Sequence, residues 1–577
     1  MALLHRLLKC RRNAAAAAAS ASFLVLVLVF SVLLAATRHE HGDSPAIAAP
    51  SLLGEEEEPG AGCEAALRPL PDHAARCRYL SSPGRRPPCA PAGYVDYLRL
   101  FYCGFGRAPW LGGAALALWL LVLFYLLGDT ASHYFCASLE GLSEALRLPP
   151  SIAGVTLLSL GNGAPDVLSS VVAFAAGGAE SDAGDVGLSS VLGGALFVST
   201  VVAGVVAIVA AGRRGDAAGV TIERRGFVRD VCFLLVALCY LVAVLLTGTV
   251  TVWAAASFLS LYAAYVLLVW TSHCCAAAAE EDEDLGDGSK KPAAHNSDLA
   301  APLLLDGDAP SPLPVSCKAT TPPPKTFSQR ALDALHSPLY LPRRLTIPDI
   351  AAHRWSKRYA VASALLAPLL LAAISCPSSP AVLLAAAVAG AVLAGAAARA
   401  TASAAPPETR CGRLPWLAGG FLMSVLWSYM LARELVALLV AIGLVAGVKA
   451  SLLGATVLAW GNSLGDLVAD VALAVHGGAA GAQMAVSGCY AGPAFNTVVG
   501  LGLSLTLAAG ARYPRPYAIP ADASAYEAAG FLAAALAWAL VVLPARGMRL
   551  DRVLGVGLLV VYLGFLGVRL GSIRAWG

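Results

Sequence analysis

Charge is scarce in this chain. Only 13% of its 577 residues are Asp, Glu, Lys or Arg, about half the share of an ordinary soluble domain, while 58% are hydrophobic and the mean hydropathy is +0.69. No water-soluble globule could cover that much apolar surface, so a soluble fold is excluded and a membrane protein remains. The net charge is only +3, and nothing in its distribution resembles the basic footprint of a nucleic-acid binder. Cysteine is sparse as well, 14 residues being too few for a disulfide scaffold at this length. Four of them, Cys63, Cys77, Cys89 and Cys103, nevertheless crowd into one polar segment, which suggests an oxidising compartment and leaves three pairings open. Cys136, Cys232, Cys239 and Cys489 lie in apolar runs and read as core packing, and the adjacent Cys274 and Cys275 are a weak lipidation signal.

What is abundant is apolar runs long enough to cross a bilayer, about 20 residues each. His5, Arg6, Lys9, Arg11 and Arg12 precede the first, at 23–36, so that 1–36 reads as a signal peptide or signal anchor. The polar, cysteine-containing stretch 37–109 is then luminal or extracellular. Five runs follow within 110–271, at 111–146, 151–176, 186–211, 227–247 and 249–270. A linker at 272–356, carrying "EEDEDLGDGSKK" and "TPPPKT", has the composition of a disordered cytosolic segment, and its acidic residues Glu280 to Asp284 read as solvated charge. Two extra helices are expected within 357–415, at 359–374 and 381–398. Five more runs occupy 416–577, at 417–448, 450–475, 481–508, 528–543 and 553–570. The fold class is thus an all-α polytopic membrane protein. Its Ala-rich start resembles a mitochondrial presequence, but the long apolar run behind it favours secretory entry, hence an endomembrane (vacuole or ER) or the plasma membrane.

The basic loops orient the spans. Arg213, Arg214, Arg224 and Arg225 fall on the cytosolic side, with Arg399, Arg410, Arg413, Arg546, Arg549 and Arg552, while Lys449, Arg512 and Arg515 fall on the other.

Two polar motifs interrupt this greasy sequence, "GNGAPD" at 161–166 and "GNSLGD" at 461–466. At a constant offset of 300, Gly154, Thr156, Leu158, Gly161, Asn162, Asp166 and Val171 match their counterparts in the later segment. The following runs match loosely, "SSVLGGALF" from Ser189 against "SGCYAGPAF" from Ser487. The two five-span blocks therefore read as an internal repeat, and an odd number of crossings between the copies makes them inverted, the arrangement that brings matched motifs together at the midplane of a secondary transporter. A mid-bilayer carboxylate costs ~2.5–3.5 kcal/mol even on the translocon scale, so two at matched positions need a partner, and a divalent cation would supply one. Asn162 and Asp166 share a helix face, as do Asn462 and Asp466. The glycines and Pro165 would let the helix break there and expose carbonyls. Two Asp, two Asn, Ser463, such carbonyls and water could satisfy the 6 to 8 oxygens calcium takes. Asp470, one turn past Asp466 on the same face, is a further candidate metal ligand, though its counterpart in the alignment is Ser170 and an accessory charge is the alternative. Thr156 and Thr456 are expected to bond to their own helix backbone, and Glu434 to be a paired or solvated charge.

At these motifs the sequence resembles the cation/calcium exchanger branch of the sodium/calcium exchanger superfamily, which includes plant cation/calcium exchangers. "GNGAPDVLSS", "GNSLGDLVADV" and "SGCYAGPAFNTVVG" carry the resemblance. It implies two inverted five-helix repeats and an antiporter in which Asp166 and Asp466 bind calcium or monovalent cations in turn. Where relatives often have Gly-Ser-Asn-x-Phe followed by Asn or Asp, this chain has Gly193, Gly194, Ala195, Leu196, Phe197 and Val198 in one copy and Ala491, Gly492, Pro493, Ala494, Phe495 and Asn496 in the other. The first has lost its side-chain ligands; Asn496 keeps one.

The expected activity is therefore antiport of Ca2+ or of K+, Na+, H+ or Mn2+ by alternating access, without enzymatic chemistry or a bound cofactor, the partners being inorganic cations and the lipid bilayer. Two rivals stand beside it. An intramembrane aspartyl protease also embeds two Asp, but has no need for the repeated Asn; a cation channel would use the same acids as a filter.

Overall fold

The computed structural model describes residues 67, 69–81, 93–146, 159–176, 182–212, 220–283, 340–351, 354–402, 405–407, 409–476, 478–519 and 523–576. The N-terminal run at 23–36, Cys63, Cys89, Thr156 and most of the linker lie outside these residues, as do the side chains of Asn162, Cys274 and Cys275.

Lipid offers backbone N–H and C=O groups no partner, so the apolar runs become helices. They are, in chain order, α1 (His73–Ser81), α2 (Pro109–Thr130, continuing through a π turn at Ala131–Cys136 into Ala137–Leu146), α3 (Ser159–Ala176) and α4 (Asp182–Phe197, π turn Val198–Val202, Ala203–Ala211). Next come α5 (Arg224–Thr247), α6 (Val252–Glu283), α7 (Lys357–Ser375), α8 (Pro380–Ala400) and α9 (Arg410–Ala446). The last are α10 (Ala450–Leu453, π turn Gly454–Leu458, Ala459–His476), α11 (Gly478–Phe495, π turn Asn496–Leu501, Gly502–Arg512), α12 (Ala523–Ala545) and α13 (Arg552–Trp576). Eleven of these elements contain a stretch long and apolar enough to span a membrane, and α3 adds a shorter apolar helix, Gly163–Phe174. The chain is a multi-pass membrane protein with two five-helix repeats, α2–α6 and α9–α13, and α7 and α8 between them. Counting α3, seven spans separate the start of α3 from the start of α10, so the two motif helices run in opposite directions.

The chain forms two compact units. One holds α1, α2, α7, α8 and α9 as far as Ala432; the other holds Pro91–Leu98, α3 to α6, α9 from Arg433 onward, and α10 to α13. In the first, Tyr134, Ile347, Met423 and Leu426 form a core closed by Trp427 and Leu370. The end of the linker is ordered here, contrary to its polar composition. A helix over 340–346 sends Arg343, 1% exposed, to the Asp129 carboxylate at 2.6 Å and to Thr130 Oγ1 at 2.9 Å. Trp427 Nε1 donates to Thr346 Oγ1 at 2.7 Å. These buried pairs supply the order that apolar burial alone would not. A disulfide joins Cys77 to Cys103, one of the pairs left open by the sequence.

In the second unit α4 and α11 form the centre: 72% of the apolar window of each is buried, against 17% in α7 and α8 of the first unit. Each motif helix packs on the third helix of the opposite repeat, α3 on α11 and α10 on α4. A Cβ at Gly193 of α4 would lie 2.4 Å from the Ala455 carbonyl oxygen of α10, so only glycine allows that crossing. Two loop pairings stitch the repeats together. Thr249–Val250 pairs antiparallel with Tyr517–Ala518, and Thr221 bridges Arg549. Of the cysteines expected in the core, Cys136 and Cys489 are buried, but Cys232 and Cys239 are exposed, because they lie on the outward face of α5.

Candidate ion-binding site

The helices are not broken at the motif glycines. α3 runs continuously through Pro165, and α10 through Gly465. Pro165 still has no N–H to offer residue 161, which frees one carbonyl without ending the helix. The backbone departs from α geometry elsewhere, in the π turn Gly454–Leu458 just ahead of the second motif, and at matched positions just after Phe197 and Phe495. Such insertions recur at functional sites because they re-aim side chains by about a residue.

Asp166 is buried, 6% exposed, and its Oδ2 accepts a hydrogen bond from Asn496 Nδ2 at 2.6 Å. Gly163 makes this possible, since a Cβ there would sit 2.1 Å from Asn496 Oδ1 and 2.8 Å from the Phe495 ring. From α10, Asn462 Nδ2 donates to Ser169 Oγ at 3.2 Å, and that hydroxyl donates to the Pro165 carbonyl at 2.7 Å. Ser463, fully buried, places its Oγ 3.7 Å from where a Cβ of Gly194 would be. Asp466 is half-buried and lies within electrostatic reach of both Asp470 and Asp166.

The polar oxygens left over define the chemistry. Asp166 Oδ1, Asn462 Oδ1, Ser463 Oγ, Asn496 Oδ1 and Thr497 Oγ1 are all buried with no hydrogen-bond partner. A buried polar oxygen without a partner is destabilising by about 1–3 kcal/mol, and five of them lie on α3, α10 and α11. Carboxylate, amide and hydroxyl oxygens suit hard cations. Among the described residues no group of three His, Cys, Asp or Glu is placed to hold a metal.

The structure thus brings Asp166, Asn462 and Asn496 together, with Ser463 and Asp466 on the same helix as Asn462; Asn162 lies one turn before Asp166 on α3. Asp470 is engaged elsewhere. Its Oδ2 accepts from the Cys489 thiol at 3.5 Å, and its Oδ1 lies 3.2 Å from the Cβ position of Gly488. Its counterpart Ser170 bonds the Gly500 carbonyl at 3.2 Å and Ser504 Oγ at 2.9 Å. Thr456 donates to Leu452 O at 2.7 Å, the backbone role expected of it. Glu434 is paired, accepting from Tyr97 Oη at 2.6 Å and from the Tyr94 amide. Sequence reasoning missed Ser169, Ser199 and Thr497, none of which has an identical residue at its matched position.

Comparison with known proteins adds an independent line. A family model described as sodium/calcium exchanger protein matches residues 116–271 and again 416–571, two copies at the same 300-residue offset as the motifs. Cation/calcium exchanger 1 of Arabidopsis thaliana is 45% identical over 527 residues, covering 89% of each chain. Cation/calcium exchanger 2 of the same plant is 44% identical, over 88% of this chain and 90% of its own. The human mitochondrial sodium/calcium exchanger protein is 31% identical, over 86% and 87%. A crystal structure of an H+/Ca2+ exchanger aligns with a TM-score of 0.44 at 14% identity, over 79% of this chain and 85% of that one.

Proposed function

Because the chain belongs to the sodium/calcium exchanger family, on the cation/calcium exchanger branch, we propose that it is an antiporter that binds Ca2+ and a competing cation in turn at Asp166, Asp466, Asn162, Asn462, Ser463 and Asn496. The observation that carries this reading is the set of unpartnered oxygens buried around Asp166, contributed by helices of both repeats. A hard cation would satisfy them and neutralise the buried carboxylates at once. The loaded carrier can then reorient, whereas an empty site leaves negative charge unpaired in a low-dielectric interior, which opposes slippage without a bound ion. Alternation follows from the inverted repeat, because exchanging the conformations of two halves related by an in-plane axis opens the same site to the opposite side.

The asymmetry between the repeats bears on ion number. Gly194 and Val198 offer no oxygen where Asn496 does in the other copy, so the side chains present suffice for one divalent ion, with the counter-ion competing for the same oxygens. Asp470, held by Cys489, serves this cage as a nearby charge rather than as a ligand.

Purified protein in sealed proteoliposomes tests this. Calcium uptake should be driven by an outward gradient of Na+, K+ or H+, one of them dominating. Asp166→Asn and Asp466→Asn should each reduce flux to background. Substantial flux in both variants, or calcium movement as a conductance indifferent to every counter-gradient, would overturn the assignment.

A further inference from the structure

We propose that the Thr497 hydroxyl is a direct cation ligand that sets affinity, an inference that rests on the ion-site reading above and adds a residue the repeat symmetry does not pick out. Six threonines are buried among the described residues: Thr130, Thr200, Thr346, Thr401, Thr456 and Thr497. Five use their hydroxyl in one way, donating to the carbonyl four residues earlier. Thr130 bonds Leu126, Thr346 bonds Pro342, Thr401 bonds Ala397 and Thr456 bonds Leu452, each at 2.7 Å, and Thr200 bonds Leu196. This back-bond is what a helical threonine does when nothing else claims it. Thr497 does not make it. Its side chain is fully buried, yet Oγ1 has no partner.

The matched position in the other repeat is used differently. Thr497 aligns with Ser199, each the second residue of its π turn. Ser199 has an acceptor, the Cys489 carbonyl of α11, at 3.3 Å. That carbonyl is free because Pro493, four residues on, has no N–H to give it. The reciprocal carbonyl for Thr497 is that of Val191 on α4, and Thr497 Oγ1 makes no bond to it.

Its surroundings supply another partner. Thr497 directly follows Asn496, whose Nδ2 holds Asp166 while its Oδ1 is likewise unpartnered. The π turn containing both packs on α3 and α4, and a Cβ at Gly500 of the same turn would lie 3.6 Å from Val167 Cα, next to Asp166. A hard cation at Asp166 and Asn496 satisfies the hydroxyl with the rest.

Thr497→Val keeps the shape and removes the oxygen; Thr497→Ser keeps the oxygen. Both variants of the full chain are to be assayed for calcium dependence of uptake in proteoliposomes and for unfolding temperature in detergent with and without Ca2+. Losing one ligand oxygen should raise the KM for Ca2+ roughly tenfold in the Val variant, with a smaller effect on maximal rate, while the Ser variant stays within about twofold. The Val variant without calcium should unfold at a higher temperature than the parent, since an unsatisfied buried hydroxyl is gone, and its calcium-induced rise should shrink. A parental KM and a parental calcium-induced rise in the Val variant overturn the proposal. If that variant transports nothing, the calcium-induced rise decides: lost, it supports ligation; retained, it refutes it. Full flux in Asp166→Asn would instead sink the ion site as a whole, so the two failures are distinguishable.

Discussion

Asp166 is the residue on which the site turns, and its environment shows how a carboxylate is kept in a membrane interior without a basic partner. One oxygen is held by the Asn496 amide, and the other is buried with no hydrogen-bond partner. Gly163 is as necessary as the acid, because any side chain there collides with Asn496 Oδ1. Gly163→Ala is expected to fold and insert normally but to lose most calcium transport, at least tenfold, by displacing the Asn496 side chain; flux assays on equal amounts of reconstituted protein check this. The acids and asparagines were legible in the sequence because polar residues in a lipid-spanning run are rare and repetition singles them out. Thr497 and Ser199 were not, since threonine and serine are ordinary in such helices and only the fate of their hydroxyls distinguishes them. Cys232 and Cys239 misled for the opposite reason, an apolar run not revealing which of its faces meets lipid.

At the scale of elements, the expected helix break at the motif glycines gives way to continuous helices with π turns at matched places. Glycine permits a break but also permits close packing, and packing wins here, with α4 against α10 at Gly193 and α3 against α11 at Gly163. Proline 493 is absorbed in the same spirit: the carbonyl it orphans is taken by Ser199 across the repeat boundary. Ser199→Ala should lower stability by about 1 kcal/mol, and the loss should largely vanish in a Pro493→Ala background, where the Cys489 carbonyl regains its helical donor. Thermal unfolding of the two single variants and the double variant measures this coupling; an undiminished loss in the double variant argues against it. The linker shows where composition misleads. Its polar sequence reads as disordered to 356, yet Arg343 buries its guanidinium against Asp129. Arg343→Ala leaves that acid with only the His133 imidazole, at 3.0 Å, and should destabilise the unit holding α2 by up to about 3–5 kcal/mol, visible as a lower unfolding temperature.

For the molecule as a whole, the inverted repeat was legible from an offset and a count of crossings, and the two loop pairings agree with it. The α4–α5 and α12–α13 loops, both basic, meet at Thr221 and Arg549, while the α5–α6 loop meets the α11–α12 loop at Thr249 and Ala518. Arg512 and Arg515, which charge counting places on the wrong side, sit beside the second pairing and so share a side with Thr249. Their charge is partly accommodated there, Arg512 lying over the Tyr517 ring. In a background freed of accessible native cysteines, Thr249→Cys and Arg549→Cys should react with a membrane-impermeant thiol reagent from opposite faces of sealed vesicles. Labelling from one face would contradict the inverted topology.

The most direct test of the central claim is crystallographic: crystals of the full chain grown with Sr2+ or Ca2+, with the metal located by anomalous scattering. A metal peak is expected with the Asp166, Asp466 and Asn496 oxygens about 2.3–2.6 Å away, contributed by helices of both repeats. A metal held elsewhere, with those carboxylates turned from it, would contradict the account.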